Sequence, residues 1–357
     1  MSTFDYKKLR KIIASAIENG SFTPGFEVID PETELLEQRL RQLYNADYAL
    51  CVDSATNAML YVLLACGLRG EAIVASNFTW GQTLSGALVL SCPIHLADID
   101  GSLNLNPMSL NKIVQTHPGV KAVIATDICG IPHNIKAVES ICRKYGVFHI
   151  VDAAQSMGCD YGVPDPLNYC DALVVSFGQC KTISCCGGGA IITNNKELYN
   201  QLLLTCMHPH RQHIEVGGSY ATQFSLNGRI HPLVSFMANQ LWEAGLDRLS
   251  QRKDYWIPVY RKLAEFSSVE PISRIENGTF YNVPFIVKNW RIFLSQFHGD
   301  NIGLYKDFLY ERGINLRPIS RQMDIPDSDV DTPNLFKLLK YQPQQPTKLF
   351  RLYPYGN

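Results

Sequence analysis

From Pro31 to Thr193, short and almost unbroken apolar runs alternate with stretches in which apolar residues return every three or four positions. The runs Tyr48–Val52, Ala72–Ala75, Ile94–Ala97, Lys121–Thr126, Val147–Val151, Ala172–Ser176 and Ala190–Thr193 predict strands. Segments such as KAVIAT, VFHIV and ALVVSF show too little alternation for a sheet with one wet face, so helices are expected on both faces. Helical patterns fall between the runs. The first, ETELLEQRLRQLY after Pro31, begins acidic and ends basic, as the helix dipole favours. Others cover Thr56–Cys66, Gln82–Leu90, Met108–Thr116, Ile135–Tyr145 and Lys196–Thr205, and Met1–Gly20 reads as a charged amphipathic helix. A long helical stretch from Pro232 to Phe266 leads into a less regular tail that ends LYPYGN. The alternation predicts an α/β fold with a mostly parallel sheet. The expected division is an N-terminal arm and large domain over residues 1–249, then a small C-terminal domain over residues 250–357.

Composition narrows the function classes. A net charge of −1 gives no electrostatic reason to expect nucleic acid or an anionic membrane as partner, and no basic stripe interleaves with aromatics. No window approaches the roughly 20 apolar residues of a membrane span, and the N-terminal stretch has no apolar signal core. Eleven cysteines without paired spacing argue against a disulfide framework and point to a reducing cytoplasm. Cys185 and Cys186 read as packed thiols. His208, His210 and His213 share no helical face and have no partner cysteine pair, so no metal is expected.

The chemistry lies just past the strands, where open parallel sheets bind ligands. Those positions hold Asp53-Ser54-Ala55-Thr56, Asn77-Phe78-Thr79-Trp80, Asp127, Asp152-Ala153-Ala154-Gln155, Ser176 and Lys181. Pyridoxal 5'-phosphate calls for that set. It needs an amine for its aldehyde, a carboxylate against its ring nitrogen, donors and a helix N-terminus for its phosphate, and an aromatic plate for its ring. Beside a cation, Asp152 is expected to be held ionised, because an opposite charge lowers a carboxyl pKa.

The order of these pieces resembles the DegT/StrS-type sugar aminotransferases. The motifs run GSFTPG (20–25), SATNAM (54–59), NFTW (77–80), ADIDGSLNLNP (97–107), VDAAQSMG (151–158), SFGQCKTISCCGGG (176–189) and SLNGRI (225–230). The resemblance implies the pyridoxal-phosphate transferase fold of type I, with a seven-stranded sheet between helices and a smaller α+β domain. It also implies Lys181 as Schiff-base lysine and proton carrier, where the related sugar dehydratases have histidine. Asp152 would pair with the ring nitrogen, Gln155 sit near the ring hydroxyl, and Trp80 stack on the ring. Ala55, Thr56 and Ser176 would hold the phosphate, and Asn227 would reach the phosphate of the neighbouring subunit in a homodimer with shared active sites. His208 and Arg317 fall on the substrate side. Cys186-Gly187-Gly188-Gly189 stands where the family has Gly-Glu-Gly-Gly, and His208-Pro209 replaces its His-Gly pair. The expected reaction is ping-pong transamination from glutamate or glutamine to a keto-sugar or keto-cyclitol. Elimination or cyclisation on an amino acid, and a non-catalytic sensor on the same fold, are the alternatives.

Overall fold

A computed structural model of the chain describes residues 6–19, 29–217, 225–287, 292 and 348–352. Seven strands form its main sheet: β1 Tyr48–Val52, β2 Ala72–Ser76, β3 Ile94–Ala97, β4 Val120–Thr126, β5 Phe148–Asp152, β6 Ala172–Ser176 and β7 Gly189–Thr193. The order is β1-β7-β6-β5-β4-β2-β3. Only β7 is reversed: it pairs antiparallel with β1 and β6, while β2, β3, β4, β5 and β6 pair parallel. Two antiparallel steps restore direction, so β1 also runs with β6. The carboxyl ends of all strands but β7 therefore share one edge.

Nine helices surround this sheet among the described residues: α1 Tyr6–Glu18, α2 Pro31–Tyr44, α3 Ala55–Ala65, α4 Ser85–Val89, α5 Pro107–Thr116, α6 Ile135–Tyr145, α7 Lys196–Cys206, α8 Pro209–Glu215 and α9 Pro232–Ala264. Their starts follow local chemistry. Asp30, Asn106 and Asn134 cap α2, α5 and α6 by accepting backbone N–H bonds, and proline opens α2 and α5. Gly146 ends α6 in the left-handed region at φ 65°. The stretch expected as one helix over residues 82–90 divides into a 3₁₀ turn, Gly81–Leu84, and α4.

Successive strand residues enter opposite cores, as the two-residue period requires. Ile150 and Val174 pack with α3 and α7, whereas Val151 and Val175 pack with α2 and α9. Both faces are covered, which accounts for the unbroken apolar runs. The long helix α9 joins two cores. Met237, Ala238, Leu241 and Trp242 pack on the main sheet's layer, and Trp256, Tyr260 and Leu263 pack with Phe280, Val283 and Phe285. There a second sheet of order β10-β9-β8 forms from β8 Val269–Glu270, β9 Val283–Val287 and β10 Lys348–Leu352. No helix among the described residues is long and apolar enough to cross a membrane.

Candidate active site

Lys181 sits in the loop that reverses β6 into β7, and so at the shared carboxyl edge. The loop is tightly wound: Lys181 N–H donates to Gly178 O at 3.3 Å. Cys180 takes a left-handed φ of 67° and donates its N–H to Ser184 Oγ at 3.0 Å. The Lys181 ammonium lies 4.6 Å from the centroid of the Tyr281 ring, which arrives from just before β9. Burial holds the Lys181 amine below the usual lysine range, with Asp152 and Cys180 pulling the other way.

Asp152 ends β5, opposite Thr126 of β4 and Val174 of β6. Its carboxylate accepts from Thr83 Oγ1 at 2.6 Å and from Ala154 N–H at 3.1 Å. Its pKa lies above the ordinary value. Burial dominates, and Thr83, Ala154 and Lys181 offset it only in part, while Asp127 adds to the rise. Lys181 and Asp152 thus feel each other's charge across the edge, and each sits where its charged form is disfavoured.

The start of α3 supplies a third wall. Ser54 caps the helix by accepting from Asn57 N–H at 3.1 Å, and Ala55 and Thr56 are its first residues. Because Ala55 is already helical and not among the left-handed residues, alanine serves where the family has glycine. The close approach falls on Gly189 instead, where a Cβ would stand 2.6 Å from Ala55 N. Gly189 is also the register partner of Ser176, so glycine there lets the N-terminus of α3 pack directly against the strand beside the end of β6. Ser176 Oγ accepts from Gly178 N–H at 3.2 Å.

The remaining expected residues divide. Trp80 stands half exposed, three residues before Thr83. Gln155 turns its Oε1 to Cys129 N–H at 2.8 Å, and its backbone carbonyl accepts from Thr279 at 2.7 Å. Asp127 does not face the crevice as expected; it is fully buried and engaged by its own neighbours. Asn227 and His208 line a cavity of about 290 Å³ with Arg229, His231 and Thr33, and neither Lys181 nor Asp152 lines it. His208 caps α8, accepting from His210 N–H at 3.2 Å. Arg317 and the GSFTPG segment lie outside the described residues. Thr83 and Tyr281 escaped the sequence reading. The only signals were a hydroxyl in the turn after NFTW and an aromatic just ahead of the apolar run VPFIV.

A largely buried amine, a carboxylate within its electrostatic reach and a helix N-terminus brought close by Gly189 form a donor set that fits pyridoxal 5'-phosphate. With the sheet order, they define a pyridoxal-phosphate enzyme of fold type I. Residues 7–319 match the model of the DegT/DnrJ/EryC1/StrS aminotransferase family, and the chain belongs to that family. Among similar solved structures is the E. coli GDP-4-keto-6-deoxy-D-mannose-3-dehydratase with bound hydrated PLP, at 18% identity, covering 99% of this chain and 93% of that one with a TM-score of 0.77. A DegT DnrJ EryC1 StrS aminotransferase from Brucella abortus shares 18% identity over 98% of this chain and 91% of its own, TM-score 0.73. DesI, solved in the presence of its TDP-sugar product, shares 18% over 98% and 86%, TM-score 0.71. At these identities the likeness speaks for the fold.

Proposed function

We propose that this enzyme moves an amino group from glutamate or glutamine to a keto-sugar or keto-cyclitol. The observation that carries this is Lys181 itself: an enclosed amine with a lowered pKa, facing Asp152. Lysine at this position favours transamination over the dehydration named for the E. coli relative. The TDP-sugar in the DesI structure supports a sugar-like acceptor.

Pyridoxal phosphate, when bound, supplies an aldehyde that condenses with amines and a ring that draws electron density once its nitrogen is protonated. Lys181 Nζ is the amine that holds the aldehyde. Freed by the incoming substrate amine, it becomes the base that takes a proton from the substrate carbon and gives it back. A lowered pKa suits that task, because only the neutral amine accepts a proton. Tyr281 orients Nζ, which lies 4.6 Å from its ring centroid. Asp152, held by Thr83 and Ala154, would face the ring nitrogen, and a cation there would offset the burial that raises its pKa.

The N–H groups of Ala55 and Thr56 and the hydroxyl of Ser176 would hold the phosphate. Trp80 would cover the ring. Gln155 offers its amide NH2 end to the ring hydroxyl, since its Oε1 is already engaged. Asn227, exposed and beside the exposed Leu226, serves the neighbouring subunit of a homodimer, and His208 shares that face. Arg317 remains a candidate for an anionic group of the substrate. The free thiols at all eleven cysteines suit a cytoplasmic enzyme.

The test is a half-reaction. Cofactor-loaded enzyme given glutamate or glutamine without acceptor is expected to release one equivalent of 2-oxo acid per Lys181, and Lys181→Ala none. No 2-oxo acid from any amino donor would remove transamination and leave elimination or cyclisation.

A further inference from the structure

The loop that carries Lys181 and the loop that follows Asp152 meet at one hydroxyl. Lys181 lies between β6 and β7, and several bonds close that loop on itself. Lys181 N–H donates to Gly178 O at 3.3 Å, Cys180 N–H to Ser184 Oγ at 3.0 Å and Cys185 N–H to Phe177 O at 2.7 Å. The next residue, Thr182, is buried and reaches outside the loop. Its Oγ1 donates to Met157 O at 3.0 Å. Met157, also buried, stands five residues past Asp152. The turn around it is closed by Ser156 N–H to Ala153 O at 3.0 Å and by Cys159 N–H to Ser156 O at 2.8 Å. The Lys181 and Asp152 backbones are thus joined through a single hydrogen bond and two short stretches of chain.

Helix α9 backs this junction. A Cβ on Gly245 would stand 2.7 Å from Thr182 O and 2.5 Å from Ile183 Cδ1, so glycine lets the helix touch the Lys181 loop there. One turn further along α9, on the same face, Leu249 reaches the other loop. Its Cδ2 lies 2.6 Å from the place that a Cβ on Gly158 would take. Thr182 is held from two sides, its carbonyl against α9 and its hydroxyl on Met157.

A lysine amine rides on a flexible stem, so the position of its backbone decides where the amine can stand. A misplacement of about 1 Å can cost on the order of 10²-fold in rate. We propose that Thr182 is a positioning residue for Lys181. Its hydroxyl, bonded to Met157 O and backed by Gly245, sets the spacing between the Lys181 loop and the Asp152 loop, so that the amine meets the cofactor aldehyde. This rests on the reading of Lys181 and Asp152 given above. A bond that served stability alone would show in unfolding and leave the chemistry of Lys181 untouched.

The test follows capture of added pyridoxal 5'-phosphate by full-length protein freed of cofactor, read by absorbance. The concentration at half-maximal rate reports binding, and the maximal rate reports the approach of the amine. Thr182→Val replaces the hydroxyl by a methyl of similar size. Its maximal capture rate is expected to fall about tenfold, with half-saturation within about twofold of wild type. Thr182→Ser keeps the donor and should capture at the wild-type rate. Gly245→Ala presses on the Thr182 carbonyl and should slow capture as well. Where valine does not fold, Thr182→Ala removes the same donor. A merely structural Thr182 predicts a lower urea midpoint with an unchanged capture rate per folded molecule. That result overturns the inference, and so does a Thr182→Ser variant as slow as Thr182→Val. The two readings separate at the lysine that is captured. If borohydride fixes the cofactor on a different lysine of the wild type, the reading of Lys181 falls and the inference with it. Fixation on Lys181 with equal capture rates removes the inference alone.

Discussion

Two cation–carboxylate couples, Arg211 in direct contact with Glu37 and Lys181 within electrostatic reach of Asp152, are built in opposite ways. Arg211 donates from both terminal nitrogens to Glu37 at 2.8 and 3.1 Å and from Nε to Glu215 at 2.5 Å. Burial alone would lower its pKa, yet Glu37, Tyr199 and Glu215 push it above the ordinary arginine value. Glu37 also accepts from Cys51 N–H, tying α2 to β1. In that pair the arginine's charge is held more firmly than in water. At the sheet edge the reverse holds: the lysine pKa is lowered and the carboxyl pKa is raised. Closed pairs of the first kind hold a fold together, whereas groups left short of compensation mark a place where something else must bind.

Substitutions should separate the two pairs cleanly. The largest effect is expected from Lys181→Ala, which removes both the cofactor's anchor and the proton carrier. Turnover should fall by about 10³-fold or more, while the urea midpoint hardly moves. Arg211→Met strands the buried Glu37 carboxylate, and unfolding should become easier by about 3–5 kcal/mol. Turnover per folded molecule should hold. Replacing Glu37 by leucine in the same chain should recover most of that loss, since a buried pair exchanged for apolar groups costs little.

Thr83→Val takes a hydroxyl from Asp152, so the carboxyl pKa should climb further. The acid limb of the kcat/KM profile should then shift upward by about one unit, with little change near pH 8. The smallest effect belongs to Tyr281→Phe, which keeps the ring face beneath the amine and should alter turnover less than Tyr281→Leu does. An Arg211 variant that lost activity in proportion to Lys181→Ala, or a Lys181 variant that unfolded, would erase the contrast.

The sheet was legible because burial on both faces leaves no alternation, and each of the seven expected strands lies within two residues of its observed start. The placement of Lys181, Asp152 and Ser176 at one edge was legible because a parallel sheet sends its strand ends there. What escaped depended on distant segments meeting. Thr83 acquires its role only when the turn after β2 folds over the end of β5, and Tyr281 only when the chain returns a hundred residues beyond Lys181. Asp127 resembled a crevice carboxylate until His133, Ser156 and Tyr161 closed on it. Helix α8 was missed because PHRQHIE has no apolar stripe; its Pro209 start and the buried Arg211 hold it in place.

The most direct measurement is borohydride reduction of the cofactor-loaded protein followed by peptide mass analysis. The account predicts a single reduced cofactor adduct, on Lys181, that is absent when Lys181 is replaced. An adduct on another lysine, or none in protein that binds the cofactor, would contradict it.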